Sequence, residues 1–542
     1  MAGHVAVIGG GPMGLMAVKN LRDEGFEVTG FEQRSYLGGI WKPSTDSALS
    51  VVPGTVFNSS RFRSAISDFP FPDGTDDYPT NQQMYDYLQS YADHFDIRKH
   101  YRLNAGLKDL ERENDKWALK ITYNGSKELT TEYFDKVLVA SGSFITPKQP
   151  KLKDMEKFKG NVMHSFDFRN HKPTDFTGKN VLIVGMHATA QDVVCELAGH
   201  ARQIYLSHRN GLMLLSRYQS DGATFDTAIG LNFMRFQIFT SRYFPSLLTY
   251  LMDTLSAKMS KSAFPAQKPE WNLQPAPSLA TTTPLVADAL WPHLKSGYAE
   301  PVAGISSITG PNSILLSDSR TLSNIDTIIF CTGYHLDVPC IPLTSPYQPY
   351  PNPGKSPILY RNTFSMHPDP AVRSSLAFLG QAAVVLPGFV NQELQIMAVT
   401  QTWLGKSTLP DLLEMQRWWN HNQEWRKSLL AKQKSEATFY EAMMRVEDHW
   451  PWLDKAAGTG LLEYFNWFSW KSWKFWWEDR EFYRLCASGL FSPAIWRLLE
   501  TGGRKRWEGA RSQIVQDNEI MEAAKREKKE SIEREKLQKK TT

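Results

Sequence analysis

The chain has 542 residues, 42% apolar and 22% charged, an ordinary globular mixture with length for about three to four folding units. A net charge of +4 is small at this size and gives no reason to expect nucleic acid as partner. Cys195, Cys331, Cys340 and Cys486 form no CxxC pair, which argues against a disulfide scaffold, a zinc site and a dithiol redox centre, and for a reduced cytoplasmic protein.

The chain goes straight into a strand-like segment, without the basic region and cleavage site of a secretory signal. No run of about 18 apolar residues offers a membrane span. His4 to Ile8 reads as a buried parallel strand, followed by a helix from about Met13 to Glu24 and a strand from Phe26 to Glu32. This is the opening βαβ unit of a doubly wound fold.

Gly9, Gly11 and Gly14 fit GxGxxG, with Gly10, Pro12 and Met13 between them. The first glycine makes the tight turn, the second lets backbone approach a pyrophosphate, and the third packs helix on strand. Glu32 ends the next strand, where a carboxylate binds ribose hydroxyls. Leu37-Gly38-Gly39-Ile40-Trp41 follows closely, as in flavoproteins that pass the cofactor over a second glycine turn. FAD is the favoured ligand; a structural turn, with Trp41 as ordinary core, is the alternative.

The pattern recurs. Asn180 to Val184 is a second apolar strand, followed by a helix from about Thr189 to Ala198 and a strand from Gln203 to Leu206. Gly185 to Ala190 keeps the first glycine and a permitted alanine in third place, but His187 replaces the middle glycine and weakens the fit to a phosphate. The strand ends Leu206-Ser207-His208-Arg209, a base where an NAD-binding fold has its acid. A guanidinium there binds a 2′-phosphate bidentately, so NADPH is favoured over NADH, with a plain surface arginine as the alternative.

Strands at Lys136–Ala140 and Asp326–Cys331 each end in a glycine turn, Ser141-Gly142 and Thr332-Gly333, suited to crossing between domains. The expected architecture is α/β, with two Rossmann-like dinucleotide-binding domains and the second inserted in the first. The FAD domain takes 1–177 and 335–403, the NADPH domain 178–334, a helical tryptophan-rich region 404–515 and a charged tail 516–542. Residues 265–285 read as an irregular excursion, and the tail as a solvated helical face. Trp467, Trp470, Trp473 and Trp476, with Trp477, Lys471 and Lys474, form an aromatic stripe if helical. Packing on the FAD domain or lining a substrate entrance is the first expectation for it, and peripheral contact with a membrane the second; carrier binding or oligomerisation also stay open.

Together these residues resemble the flavin-containing monooxygenase family, in its dimethylaniline N-oxide-forming type and as a soluble fungal or microbial member. The fingerprint FxGxxxHxxx(Y/F) appears as Phe158, Gly160, His164 and Phe168, just before the second nucleotide fold. The phenylalanine at its end favours heteroatom oxidation over the related Baeyer–Villiger branch. Phe57-Asn58-Ser59-Ser60, Ser67-Asp68-Phe69-Pro70, Phe330-Cys331-Thr332-Gly333-Tyr334, Glu393-Leu394-Gln395 and the segment from Ser492 through Arg497 to Arg511 continue the likeness over about residues 4–515. The charged tail departs from the apolar membrane helix that ends animal members.

The resemblance implies that NADPH reduces FAD, that a flavin C4a-hydroperoxide forms with O2, and that one oxygen passes to a nucleophilic nitrogen or sulfur of a small molecule, with specialised metabolism as one setting. The cofactor carries the hard chemistry, in keeping with the lack of any convincing nucleophile–His–Asp set or paired carboxylates. It implies Asn58 as the functional side chain beside flavin and nicotinamide, flanked by Phe57 and Ser59. Thr189, Ala190, Gln191 and Asp192 would contact NADP with Gly185, Ser207 and Arg209, and His164 would serve linker geometry. Asn58 as a turn residue, and Thr189 or Asp192 as helix-start residues, are the alternatives. Competing readings are Baeyer–Villiger oxygenation of a ketone and, from another class, a non-catalytic dinucleotide sensor or membrane-surface scaffold.

Overall fold

The computed structural model describes residues 3–43, 50–352, 354–383, 388–431 and 441–541. Two sheets organise it. A seven-stranded sheet runs in the order Leu359–Tyr360, Phe364–Ser365, Leu376–Phe378, Lys136–Val139, His4–Ile8, Glu27–Phe31, Tyr101–Arg102. Its centre is parallel, with Val5 paired to Val28 on one side and to Lys136 on the other. A five-stranded, wholly parallel sheet runs Ala299–Val302, Gln203–Ser207, Asn180–Val184, Thr327–Phe330, Asn161–His164. Central strands of both are apolar along their whole length because helices and loops cover both faces: Val5, Ala6, Val7, Val181, Leu182 and Ile183 are fully buried.

The chain leaves the first sheet and returns to it by two segments that lie side by side. Thr146–Pro147 pairs antiparallel with Tyr334–His335, and the Lys148 amide donates to the Gly333 carbonyl at 2.9 Å. Strand Asn161–His164, which lies before residue 178, belongs to the second sheet. His164 is buried at its end; its Nδ1 accepts from the Phe166 amide at 3.0 Å and starts the short helix Ser165–Phe168.

Several elements have no counterpart in the sequence reading. One is the antiparallel meander Ala105–Glu113, Lys116–Tyr123, Thr130–Phe134; another is the helix pair Leu231–Tyr243 and Pro245–Ala263. The charged tail is not solvated throughout. Helix Ala510–Thr541 runs through residue 516 without a break, and Ala510, Ile514 and Met521 are buried. Buried Asp517 accepts from Ser492 Oγ at 2.6 Å, and Asn518 Oδ1 accepts from the Leu490 amide at 2.7 Å.

The tryptophan stripe also departs from its first expectation. The helix begins only at Trp470, leaving Trp467 in the preceding turn, and Trp467, Trp470, Trp473 and Trp477 are 60–83% exposed. Trp476 alone of the run packs against the C-terminal core. Lysines at the intervening positions put the cations beside the rings rather than on an opposite face, so helical geometry cannot bury this stripe.

Motifs far apart in the chain meet in one buried ion cluster. Arg497 Nη2 lies 3.1 Å from Glu393 Oε1, 3.5 Å from Asp68 Oδ2 and 2.6 Å from Asn20 Oδ1, while its Nε donates to Ser67 Oγ at 2.9 Å. Glu393 also accepts from the Ser67 amide and hydroxyl, and Lys19 pairs with Asp68. Burial alone would raise the Asp68 carboxyl, but Arg497 and Lys19 hold it below the usual carboxylate range. The cluster ties the C-terminal wrap to helix Pro12–Asp23, the helix that starts at the first glycine motif.

Candidate active site

Both glycine motifs sit at the carboxyl ends of parallel strands, and the two turns are built alike. Gly9 has φ +114°, its amide donates to the Phe31 carbonyl at 2.8 Å, and a Cβ there would lie 2.5 Å from the Ala140 carbonyl. Gly185 has φ +112°, donates to the Ser207 carbonyl at 2.9 Å, and a Cβ would lie 2.4 Å from the Cys331 carbonyl. Only glycine fits either corner. Gly14 is as tightly held, since a Cβ would strike the Gly9 carbonyl at 1.9 Å.

Glu32 is 6% exposed and grips the first turn directly: Oε2 accepts from the Gly10 amide at 2.6 Å and Oε1 from the Arg34 amide at 2.9 Å. Burial pushes its carboxyl up, and the amides of Arg34 and Gly10 pull it back. Each oxygen keeps a second acceptor position for a ribose hydroxyl. The second glycine turn lies on the first, with the Gly38 amide on the Gly10 carbonyl at 2.9 Å and Gly39 against Gly11. Met13, opposite Gly380, and Ile40 are half-buried; Trp41 is buried edge-on to Phe57 at 5.2 Å, and Phe57 lies 5.7 Å from Phe389.

Two helices face these corners with no side chain capping their first amides: Pro12–Asp23, entered through Gly11 and Pro12, and Ala188–Leu197, entered through His187. Open, positive helix ends over glycine corners fit the pyrophosphates of two dinucleotides. His187, at the middle position of the second corner, takes extended backbone, φ −112° and ψ −168°, as Gly11 does in the first at φ −77° and ψ −175°. Burial holds its ring below the usual histidine range, and the neutral ring donates from Nε2 to the Thr283 carbonyl at 3.1 Å, so the side chain is tied to the 265–285 excursion.

At the edge of the second corner, Arg209 is exposed, and none of the ion pairs among the described residues engages it. Ser207 is buried and donates to the Ala303 carbonyl at 3.0 Å. Thr189 is half-buried, while Ala190 and Gln191 are buried, with Gln191 Oε1 lacking a hydrogen-bond donor. All four cysteine thiols are pushed up by burial, to about 11 for Cys195 and Cys340 and about 12 for Cys331 and Cys486, far from nucleophilic use.

Asn58 lies on a loop between the two folds. It is exposed, and none of the hydrogen bonds among the described residues engages its side chain. Its neighbours are held from both sides. The Phe57 amide donates to the Pro79 carbonyl at 2.8 Å within the first fold. From the second fold, Asp192 Oδ2 accepts from Thr55 Oγ1 at 2.8 Å, and Glu196 Oε1 accepts from the Gly54 amide at 2.8 Å. Asp226 Oδ2 accepts from Ser59 Oγ at 2.9 Å and from the Ser60 amide at 2.7 Å. Asp192 therefore faces this loop, and Ser59 spends its hydroxyl on Asp226. Thr55, Asp226 and the turn Leu379-Gly380-Gln381 had no signal in the sequence: they enter through tertiary pairing, such as the Leu379 amide on the Val139 carbonyl at 2.8 Å.

With two dinucleotide corners facing one loop, comparison with known proteins decides the family. The family model described as flavin-binding monooxygenase-like matches residues 2–538. The chain belongs to this family. It is an FAD- and NADPH-dependent monooxygenase that uses O2. Among its relatives, monooxygenase aurF of Gibberella zeae is 34% identical over 96% of this chain and 98% of its own. Dimethylaniline monooxygenase (N-oxide-forming) 4 of Rattus norvegicus is 30% identical over 76% of this chain and 71% of its own. The solved structure of S-allyl-L-cysteine S-oxygenase from Allium sativum superposes with a TM-score of 0.60 at 19% identity, over 96% of this chain and 99% of that one, and shows the shared fold.

Proposed function

We propose that this monooxygenase transfers oxygen to a nucleophilic nitrogen or sulfur of a small molecule, with Asn58 as the side chain that meets flavin, nicotinamide and the reacting oxygen. The observation that carries this reading is the Asn58 loop, held between the two cofactor corners with its amide group unengaged. The N-oxide-forming relatives support the reaction type. Bound FAD, reduced by NADPH, supplies oxygen activation: one atom goes to the substrate and the other leaves as water.

The chain's own residues do the rest. Glu32 holds the FAD ribose, the first helix end its pyrophosphate, and Gly39, Ile40 and Trp41 cover it. The second helix end with Gly185, Thr189, Ala190 and Gln191 takes the NADPH pyrophosphate, and Arg209 its 2′-phosphate. An unengaged amide donates and accepts at once, which lets Asn58 bridge two cofactors. Trp41, Phe57 and Phe389 form an apolar wall that keeps water from the flavin side of the loop. The domains follow this division with two boundaries moved: the NADPH fold starts with strand Asn161–His164 and runs to 334, the FAD fold takes the residues before that strand and 335–403, and the helical wrap from 404 continues into helix Ala510–Thr541 without a separate tail.

Offering a tertiary amine, a thioether and a cyclic ketone tests the chemistry. N-oxide or sulfoxide is expected; ester formed from the ketone with neither heteroatom product would overturn the reading in favour of Baeyer–Villiger oxygenation.

We also infer a cytoplasmic location with peripheral contact to an anionic bilayer. Trp467, Phe468, Trp470, Trp473 and Trp477 are 60–96% exposed, and Arg235 stacks on Trp467 at 5.0 Å, joining them to exposed Phe236, Phe239, Tyr243, Leu247 and Tyr250 on the neighbouring helix pair. Arg235, Arg242, Lys258 and Lys261 outnumber Asp253 on that pair, which favours anionic lipid over a second copy bearing the same charge. None of the described helices is long and apolar enough to cross a membrane. Sedimentation with phosphatidylserine vesicles, lost in Phe468→Ser/Trp477→Ser, is the expected result. Failure to sediment, or dimerisation abolished by the same changes, would refute it.

A further inference from the structure

Asp226 lies in the turn Phe225–Ala228, in the stretch of chain that follows Arg209 and belongs to none of the motifs above. Its half-buried carboxylate reaches into the first fold, where Oδ2 accepts from both Ser59 Oγ at 2.9 Å and the Ser60 amide at 2.7 Å. Oδ1 is steadied in turn by the hydroxyl of buried Thr224 at 3.0 Å. These two bonds take hold of the backbone immediately after Asn58. Besides them, the stretch between the Phe57 amide bond to Pro79 and the Arg61 amide bond to Asp77 is tied, among the described residues, through the Ser60 carbonyl, which accepts from the Arg63 and Ser64 amides at 3.0 Å and so holds the helix side of the stretch rather than Asn58 or Ser59. Helix Arg61–Ser64, which follows, starts on the Ser60 carbonyl and has no side-chain cap from Ser60.

We propose that Asp226 is a positioning residue: the second fold uses it to set where Asn58 points, so that the Asn58 amide meets the cofactors only while the two folds are docked. The proposal rests on the reading of Asn58 given above. A carboxylate suits the role, because its two oxygens together accept from Ser59, the Ser60 amide and Thr224, and its charge strengthens each bond. Buried Arg63, on the helix after the loop, feels the same carboxylate; burial outweighs the Asp226 charge and leaves its guanidinium lowered to about 10. The arrangement links loop geometry to the docking of the folds by a contact that neither cofactor makes.

A misplaced Asn58 leaves the delivery of oxygen, not the reduction of FAD, at fault. NADPH, a proton and O2 then end as NADP+ and hydrogen peroxide, so each reducing equivalent is still accounted for while substrate goes unoxidised. Asp226→Ala should lower the fraction of NADPH oxidation that ends in product by about tenfold, with the rate of anaerobic FAD reduction unchanged. Asp226→Asn, which keeps an acceptor oxygen but loses the charge, should recover a large part of it. Independently of turnover, hydrogen–deuterium exchange should show the Ser60 amide opening about tenfold faster in Asp226→Ala, with strand His4–Ile8 unchanged.

Equal Ser60 protection in both proteins, or unchanged coupling in Asp226→Ala, overturns the proposal. So does loss of coupling in step with lost FAD and lost strand protection, which marks a general structural role. If Asp226→Ala does not fold, Ser59→Ala removes one of the two bonds from the other side and is expected to shift coupling in the same direction; no shift counts against the proposal. Asn58→Ala serves as the separating control. Full coupling in Asn58→Ala sinks the reading of Asn58 itself, whereas lost coupling there beside intact coupling in Asp226→Ala sinks only the positioning role.

Discussion

Thr55 Oγ1 donates to Asp192 Oδ2 at 2.8 Å, joining the loop of the first fold to the helix that opens the second corner. Burial raises the Asp192 carboxyl from 3.8 to about 6. A raised acid means the folded state binds the extra proton, so stability from this group is present at low pH and is lost as pH rises from about 4 to 6. Asp192→Asn keeps the acceptor for Thr55 and removes the cost of burying charge. It should stabilise the protein by about 2 kcal/mol at about pH 8, with the gain vanishing near pH 4. Denaturant unfolding at both pH values checks this; an equal gain at both would refute it.

Arg209 is exposed at the edge of the second corner and forms no ion pair among the described residues. Arg209→Ala should raise KM for NADPH by about tenfold or more and leave KM for NADH nearly unchanged, because only the phosphorylated cofactor loses a charge-assisted bond. Steady-state kinetics with both cofactors measure it, and an unaltered preference would reject the assignment.

Glu32 holds the glycine turn, and under the proposed function it holds the FAD ribose as well. In Glu32→Gln the amide nitrogen cannot accept from Gly10 or Arg34, so the turn loosens as well as the ligand. The purified variant should carry at least about tenfold less FAD, read from its visible absorbance, while retaining folded circular dichroism. Full FAD occupancy would show that the carboxylate is dispensable.

Arg497 neutralises Glu393 and Asp68 in a site that excludes water. Arg497→Met should cost about 3–5 kcal/mol by leaving buried carboxylates short of a cation. Chemical denaturation gives the value, and a loss below about 1 kcal/mol would mean that Lys19 suffices for the cluster.

Much of this protein was legible in local pattern. A buried parallel strand must be apolar along its length and a glycine corner must be glycine, so His4–Ile8, Asn180–Val184, Gly9 and Gly185 announce themselves within a short window. The places of Glu32 and Arg209 were legible for the same reason: each lies just past the end of the strand that follows its corner. The helix pair Leu231–Tyr243 and Pro245–Ala263 was not, because its exposed aromatics break the apolar–polar periodicity on which helix recognition depends.

What sequence alone determined, then, is the pair of nucleotide folds and their cofactors, since both follow from spacing within single βαβ units. Tertiary structure decided how the two act on one loop. Asp192, Glu196 and Asp226 meet Gly54, Thr55, Ser59 and Ser60 across more than a hundred residues of chain, and a lone carboxylate in sequence looks the same whether water or a distant amide will be its partner. Only the docking of the folds supplies that partner, because hydrogen bonds depend on distance in space and leave no periodic trace along the chain.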